Sequence, residues 1–207
     1  MDYSKLASDS SVFLTAESLS RRGIITEVLN TKAEALTRLQ ALIPPGAGVS
    51  TAASMTLTEI GFEGLLKAGA NSWVDLKARL MTEKDPAKRM ETRRAFSSAE
   101  YIVGSVHAVV ETGEVVVVSQ TGSQVAPYAF SALNVIWVVG AQKIVPSLED
   151  ALRRVREYCS PAVEKIGIEK LGRPGMGTIG KILVFENELV YVGRKVRMLL
   201  VKEVLGI

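Results

Sequence analysis

Short apolar runs suited to buried strands alternate with stretches of helical spacing along most of this chain, and that alternation limits the architectures open to it. Ile24 to Leu29 reads as a strand, and Thr31 then opens a helix with Glu34 three residues on, in capping-box spacing. Ala35, Leu36, Leu39 and Leu42 give that helix one apolar face. Pro44-Pro45-Gly46 ends it, and Ala47 to Ser50 supplies the next strand. A strand followed by a crossover helix and a second strand pairs in parallel, because the crossover carries the chain back to the edge it left.

The same alternation runs on in both directions. Tyr3 to Arg22 predicts an N-terminal helix stopped at Gly23, and Thr56 to Ala68 a further helix. Asp85-Pro86 begins a charged helix reaching Ser98, with proline at a tolerated first-turn position. Tyr101 to Val103 and Val135 to Val139 predict buried strands, and Val109 to Val118 a hairpin turning at Thr112-Gly113. Ser147 caps a helix expected to end before Ser160-Pro161, and a second helical patch runs to Lys170. Lys181 to Phe185 and Lys195 to Val201 are the last strand candidates. We therefore expect one α/β domain over residues 1–207, three-layered (α/β/α), with a mainly parallel sheet to which the hairpin and the C-terminal strands add antiparallel pieces. Residues 1–22 form its N-terminal helix and residues 171–180 a glycine-rich linker or lid.

Charge and cysteine content narrow the partners. The net charge of +3 is spread over mixed-sign clusters, with no basic stripe carrying aromatics, so a nucleic-acid partner is not expected. The Arg89, Arg93, Arg94 group and the Arg194, Lys195, Arg197 group read as solvated faces. A single cysteine, Cys159, excludes an internal disulfide and an iron–sulfur cluster ligated by this chain's thiols alone. It falls on a helical stripe with Leu148, Leu152 and Val155, where a small buried hydrophobe fits. With one histidine, His107, the chain lacks the ligand set of a structural zinc site, and no cofactor is expected. No segment approaches the ~20 apolar residues of a membrane span, and the opening Met1 to Lys5 is not a leader, so cytoplasmic residence is expected.

Function is expected where loops leave the strands. The stretch Val49 to Gly61 reads as a strand turning into a helix, with Ser54 or Thr56 as the cap, and the free amides of such a turn favour an anion. In a parallel sheet the loops beyond the strand ends meet, which groups this turn with Ser105 to Thr112, Ser119 to Gln124 and Gly140 to Lys143. From them Ser54, Thr56, Thr121, Gly122, Ser123, Gln124, Gly140 and Lys143 are candidate ligand-binding residues, and Glu59, His107 and Glu111 candidate proton-moving residues. Structural readings stand beside these: Glu59 as a cap only, Lys143 pointing to solvent, His107 satisfying a backbone carbonyl. Gly175 to Gly180 spells G-x-G-x-x-G, yet Arg173-Pro174 precedes it and a strand follows, the reverse of the strand-then-helix setting that dinucleotide binding needs.

Several of these segments, in this order and spacing, resemble the LUD (lactate utilisation) domain family. They are Leu42-Ile43-Pro44-Pro45-Gly46, Ser54-x-Thr56-Leu57-x-Glu59-Ile60-Gly61, Thr112-Gly113-Glu114, Val138 to Pro146, Ala151-Leu152-x-Arg154-Val155-Arg156, Gly193-Arg194 and Val201-x-Glu203-x-Leu205-Gly206. The resemblance implies a fold similar to ribose-5-phosphate isomerase, glucosamine-6-phosphate deaminase and the CoA transferases. It also implies an accessory subunit of lactate or related organic-acid utilisation, partnered by iron–sulfur oxidoreductase subunits. The chain departs from the family pattern at Ala52-Ala53, where a glycine pair is common, and at His107, where asparagine is common. Two alternatives stay open: a stand-alone enzyme or binder for a small phosphorylated or carboxylated metabolite, and a non-catalytic homo-oligomeric scaffold.

Overall fold

The computed structural model describes residues 2–207, whose strands gather into two sheets. The larger holds β1 (Ile25–Leu29), β2 (Gly48–Thr51), β3 (Val74–Asp75), β4 (Tyr101–Gly104), β7 (Asn134–Gly140) and β10 (Lys195–Val201) in the order β1-β10-β7-β4-β2-β3, with every pairing parallel. The smaller joins β8 (Ile144–Val145), β5 (Ala108–Val110), β6 (Val115–Ser119) and β9 (Lys181–Phe185) in the order β8-β5-β6-β9, built round the hairpin at Thr112-Gly113. Helices α1 (Asp9–Arg21), α2 (Lys32–Leu42), α3 (Met55–Glu59), α4 (Phe62–Lys67), α5 (Leu76–Thr82), α6 (Pro86–Ser97), α7 (Leu148–Arg154) and α8 (Ser160–Leu171) surround them. Among the described residues no helix is long and apolar enough to cross a membrane.

The period of two along β7 explains the layering. Val135, Trp137 and Val139 face one cluster with Val12 and Leu19 of α1 and Val109, Val115 and Val117 of the smaller sheet. Ile136 and Val138 face the opposite cluster, with Leu39, Leu57 and Phe62 of α2 to α4. The large sheet is thus buried on both faces, as an all-parallel sheet requires, between one helical layer and a second layer made by α1 and the smaller sheet. Behind the smaller sheet, Ala108, Val110 and Val116 pack on Ala151 and Val155.

Three local expectations are corrected. The last strand, β10, does not add an antiparallel piece; it lies between β1 and β7, because Val196, Met198 and Leu200 feed one core and Leu199 and Val201 the other. The helix expected over Thr56 to Ala68 breaks at Gly61, whose φ of +82° no helix tolerates, and Ser54 caps the first piece by accepting the Leu57 amide at 3.3 Å. The helix after Ser147 does not stop before Ser160-Pro161. A π turn over Val155–Cys159 widens it into α8, and Pro161 sits in the first turn of α8, where proline is tolerated.

Candidate functional site

A cavity of about 720 Å³ opens at the carboxyl ends of β2 and β6 and just beyond β4. Its walls are Thr51 to Ala53, the 119–124 turn, the α5–α6 hairpin, the π turn leading into α8, and residues 176–179. Of the candidates read from the sequence, His107, Thr121, Gly122, Ser123 and Gln124 line it. Among the described residues, neither an aspartate nor a glutamate does so.

His107 is set by the connection from β4 to β5. Its backbone amide donates to Val116 O at 2.9 Å, and its Nδ1 accepts the Val118 amide at 3.1 Å, so the neutral ring carries its proton on Nε2. Burial, reinforced by the positive charges of Lys143 and Arg154, pushes its pKa down to about 3. At neutral pH it is therefore a hydrogen-bond donor, not an imidazolium. Nor, among the described residues, does its ring donate to a backbone carbonyl, the duller reading of the sequence; its own carbonyl accepts from Arg154 Nη1.

Two buried cations lie behind this end of the cavity. Lys143, 3% exposed, donates to Thr56 Oγ1 and Ser105 Oγ, each at 3.2 Å, and to Val106 O at 3.3 Å. Burial, helped by Arg154, pushes its pKa down to about 7, so it does not point to solvent. Arg154 is fully buried, Nη1 contacting the Cys159 thiol at 2.8 Å, while Nε and Nη2 lack a partner among the described residues. Its guanidinium lies 5.8 Å from the Tyr3 ring centroid and 5.2 Å from that of Tyr158, two cation–π contacts in place of a carboxylate. Cys159 lines the cavity, buried as its helical stripe implied, and burial raises its pKa.

The remaining sequence candidates are placed elsewhere. Ser54 caps α3, and Thr56 Oγ1 donates to Leu205 O at 3.2 Å within the Lys143 cluster. Glu59 accepts the Gly206 amide at 2.7 Å, tying the C-terminal segment to α3. Glu111 accepts the Ser11 hydroxyl in a separate cleft. Gly140 makes room: a Cβ there would meet Gln142 Oε1 at 2.2 Å and Glu203 O at 2.7 Å. Arg93 is exposed, as expected of a solvated face, and also lines the cavity, as does Lys77, which Glu63 neutralises at 3.4 Å. Arg93 stands three residues before the buried Phe96, and that i, i+3 spacing is the signal that places it at the edge of α6 bordering the cavity.

The glycine-rich segment forms a strap along the cavity. Glu164 on α8 accepts the amides of Gly175 at 2.7 Å and Gly177 at 2.8 Å, and Ser160 Oγ donates to Gly177 O at 2.6 Å. From the other wall, Gln120 Nε2 donates to Gly175 O at 2.6 Å. The amides that a pyrophosphate would need are spent on this chain's own carboxylate, and β9 follows instead of a helix.

Comparison with known proteins agrees with this architecture. The crystal structure of a DUF162 family protein from Deinococcus radiodurans aligns with a TM-score of 0.56 at 12% identity, covering 95% of this chain and 98% of that one, and shows a common fold. The crystal structure of eIF2B beta from Chaetomium thermophilum aligns over 57% of this chain and 44% of that one, at 16% identity and a TM-score of 0.36, too little to support an argument. No curated protein matches the sequence. A profile of the LUD domain matches residues 14–168, most of the sequence, and the chain therefore belongs to the LUD domain family.

Proposed function

We propose that this chain binds a small organic anion, carboxylated or phosphorylated, in the strap-covered cavity, and that it serves organic-acid utilisation without a redox cofactor of its own. The observation that carries this reading is an acid-free cavity lining set in front of the buried Arg154 cation and of Lys143, which keeps about half its charge at neutral pH. Charges in such a low-dielectric setting act more strongly than they would in water and favour an anion in the space before them. His107 supplies an N–H to orient the ligand and the hydroxyls of the 119–124 turn supply more. Glu59 and Glu111 stand outside the cavity, so the reading is of a binder first and of a catalyst only if its ligand brings the reacting group. Thermal-shift screening with 2-hydroxy acids, sugar phosphates and acyl-CoAs tests it, since a ligand at 100 times its Kd stabilises by about 2.7 kcal/mol. A stabilisation that H107Q diminishes supports the reading; silence across all three classes refutes it.

An accessory-subunit role is favoured by the family and by one surface feature. Leu189, Val190, Tyr191 and Val192 form a run of side chains 51 to 83% exposed between β9 and β10, the kind of contiguous apolar surface that marks an interaction site. Iron–sulfur oxidoreductase subunits are the proposed partners. Deleting the protein from its source organism should impair growth on lactate, and it should co-purify with such subunits; normal growth and no co-purification argue against it.

A further inference from the structure

We infer that the anion is a phosphate ester, its phosphoryl group held where the 119–124 turn meets Lys181, with Arg93 as the second cation. This rests on the anion-binding reading above and narrows it. The turn leaves donors unspent. Gly122 N donates to Ser119 Oγ at 2.9 Å and Ser123 N to Thr121 Oγ1 at 3.4 Å, but the amides of Thr121 and Gln124 find no acceptor among the described residues. The hydroxyls of Thr121 and Ser123, 3.2 Å apart and exposed at the rim, can both turn toward a ligand oxygen.

Lys181 supplies the charge at this turn. Its stem lies across Gly122, where an added Cβ would meet Cδ at 2.8 Å and Cε at 3.1 Å and would stand 3.8 Å from Nζ. Gly122 has φ +89°, so glycine is needed both for the turn and for the lysine to lie there. Neither Lys181 nor Arg93 meets a carboxylate within ion-pair distance among the described residues, whereas the neighbouring Lys77 is already neutralised by Glu63. Lys181, outside the lining but against its turn, and Arg93, on the cavity wall, together match the charge of a phosphate monoester, about −1.5 to −2 at neutral pH, better than the single charge of a carboxylate. Size points the same way. A cavity of about 720 Å³ is in the range that encloses ligands of drug size, and a three-carbon acid would leave most of it to water.

The test is calorimetric titration with inorganic pyrophosphate and with L-lactate at one ionic strength, on the parent chain and on K181Q, R93Q and R94Q. Arg94, exposed on the same helix but outside the lining, controls for general charge. Pyrophosphate should bind the parent at least about tenfold more tightly than lactate, as loss or gain of one charge-assisted hydrogen bond allows. K181Q and R93Q should each lose most of that preference, and R94Q should keep it. Lactate binding as tightly as pyrophosphate, or a preference that survives both K181Q and R93Q, overturns this inference and leaves the anion-binding reading standing. Binding of neither probe to the parent overturns both.

Discussion

Lys143 sits where a charge is least welcome, with two hydroxyls and a carbonyl as its partners and, among the described residues, no carboxylate in contact. Its pKa, held near 7 by burial where an ordinary lysine has 10.5, makes stability depend on pH in a definite direction. Between those two values the unfolded chain binds the proton that the folded chain has released, so stability rises with pH across that window and the penalty is complete below it. Chemical denaturation from pH 7 to about 9.5 should show this rise, and K143M, which removes the titration, should flatten it. An equal rise in parent and variant would show that Lys143 is solvated after all. The sequence could point to Lys143 as a residue at a strand end, but not to its burial: the cover is Thr56 from α3 and the 205–206 segment, separated from it by dozens of positions. Arg154 was equally hidden. It is one basic residue among several in its helix, and only the packing of Tyr3 and Tyr158 against it makes it an interior cation.

At the scale of elements, the strap over residues 172–180 is held by a carboxylate that accepts two backbone amides, which lowers the Glu164 pKa. A glutamine can accept one of those amides with its oxygen but presents a donor to the other. E164Q should therefore let the strap open more often, and Cys159 beneath it reports on opening because it is the single thiol and lines the cavity. Alkylation of Cys159 should speed up severalfold in E164Q, with E164D intermediate. Rates unchanged in E164Q would mean that Ser160 and Gln120 hold the strap without it. Most elements were legible in the sequence, since capping residues and apolar periodicity are local signals: Thr31 and Ser147 cap helices, each accepting the third amide beyond, and β9 and β10 span the stretches expected of them. What was not legible locally was continuity. Ser160-Pro161 looks like a stop, but the π turn before it lets the helix continue and turns Cys159 toward the cavity.

For the molecule as a whole, the two sheets share one core. Trp137 of β7 stands edge-on to Tyr128 at 5.5 Å and to Phe185 of β9 at 5.0 Å, so a single indole joins the large sheet to the small one. W137A should cost about 3–5 kcal/mol and still unfold in one transition when followed by circular dichroism and by Trp73 fluorescence. Separate transitions would mean that the sheets are independent units. Alternating strands and helices determined the parallel α/β class, because pairing direction follows from the crossover and the burial pattern from residue order. The same local logic singled out the 119–124 turn and His107, both at strand ends. Only the tertiary structure decided which strand ends share a cavity. The smaller sheet brings the 119–124 turn to β2, and the α5–α6 hairpin adds Arg93 to it. Lys143 and Glu111 are diverted into other contacts. Which side chains meet depends on how two sheets stack and where α8 and the strap lie across them, and those contacts join residues far apart in the chain.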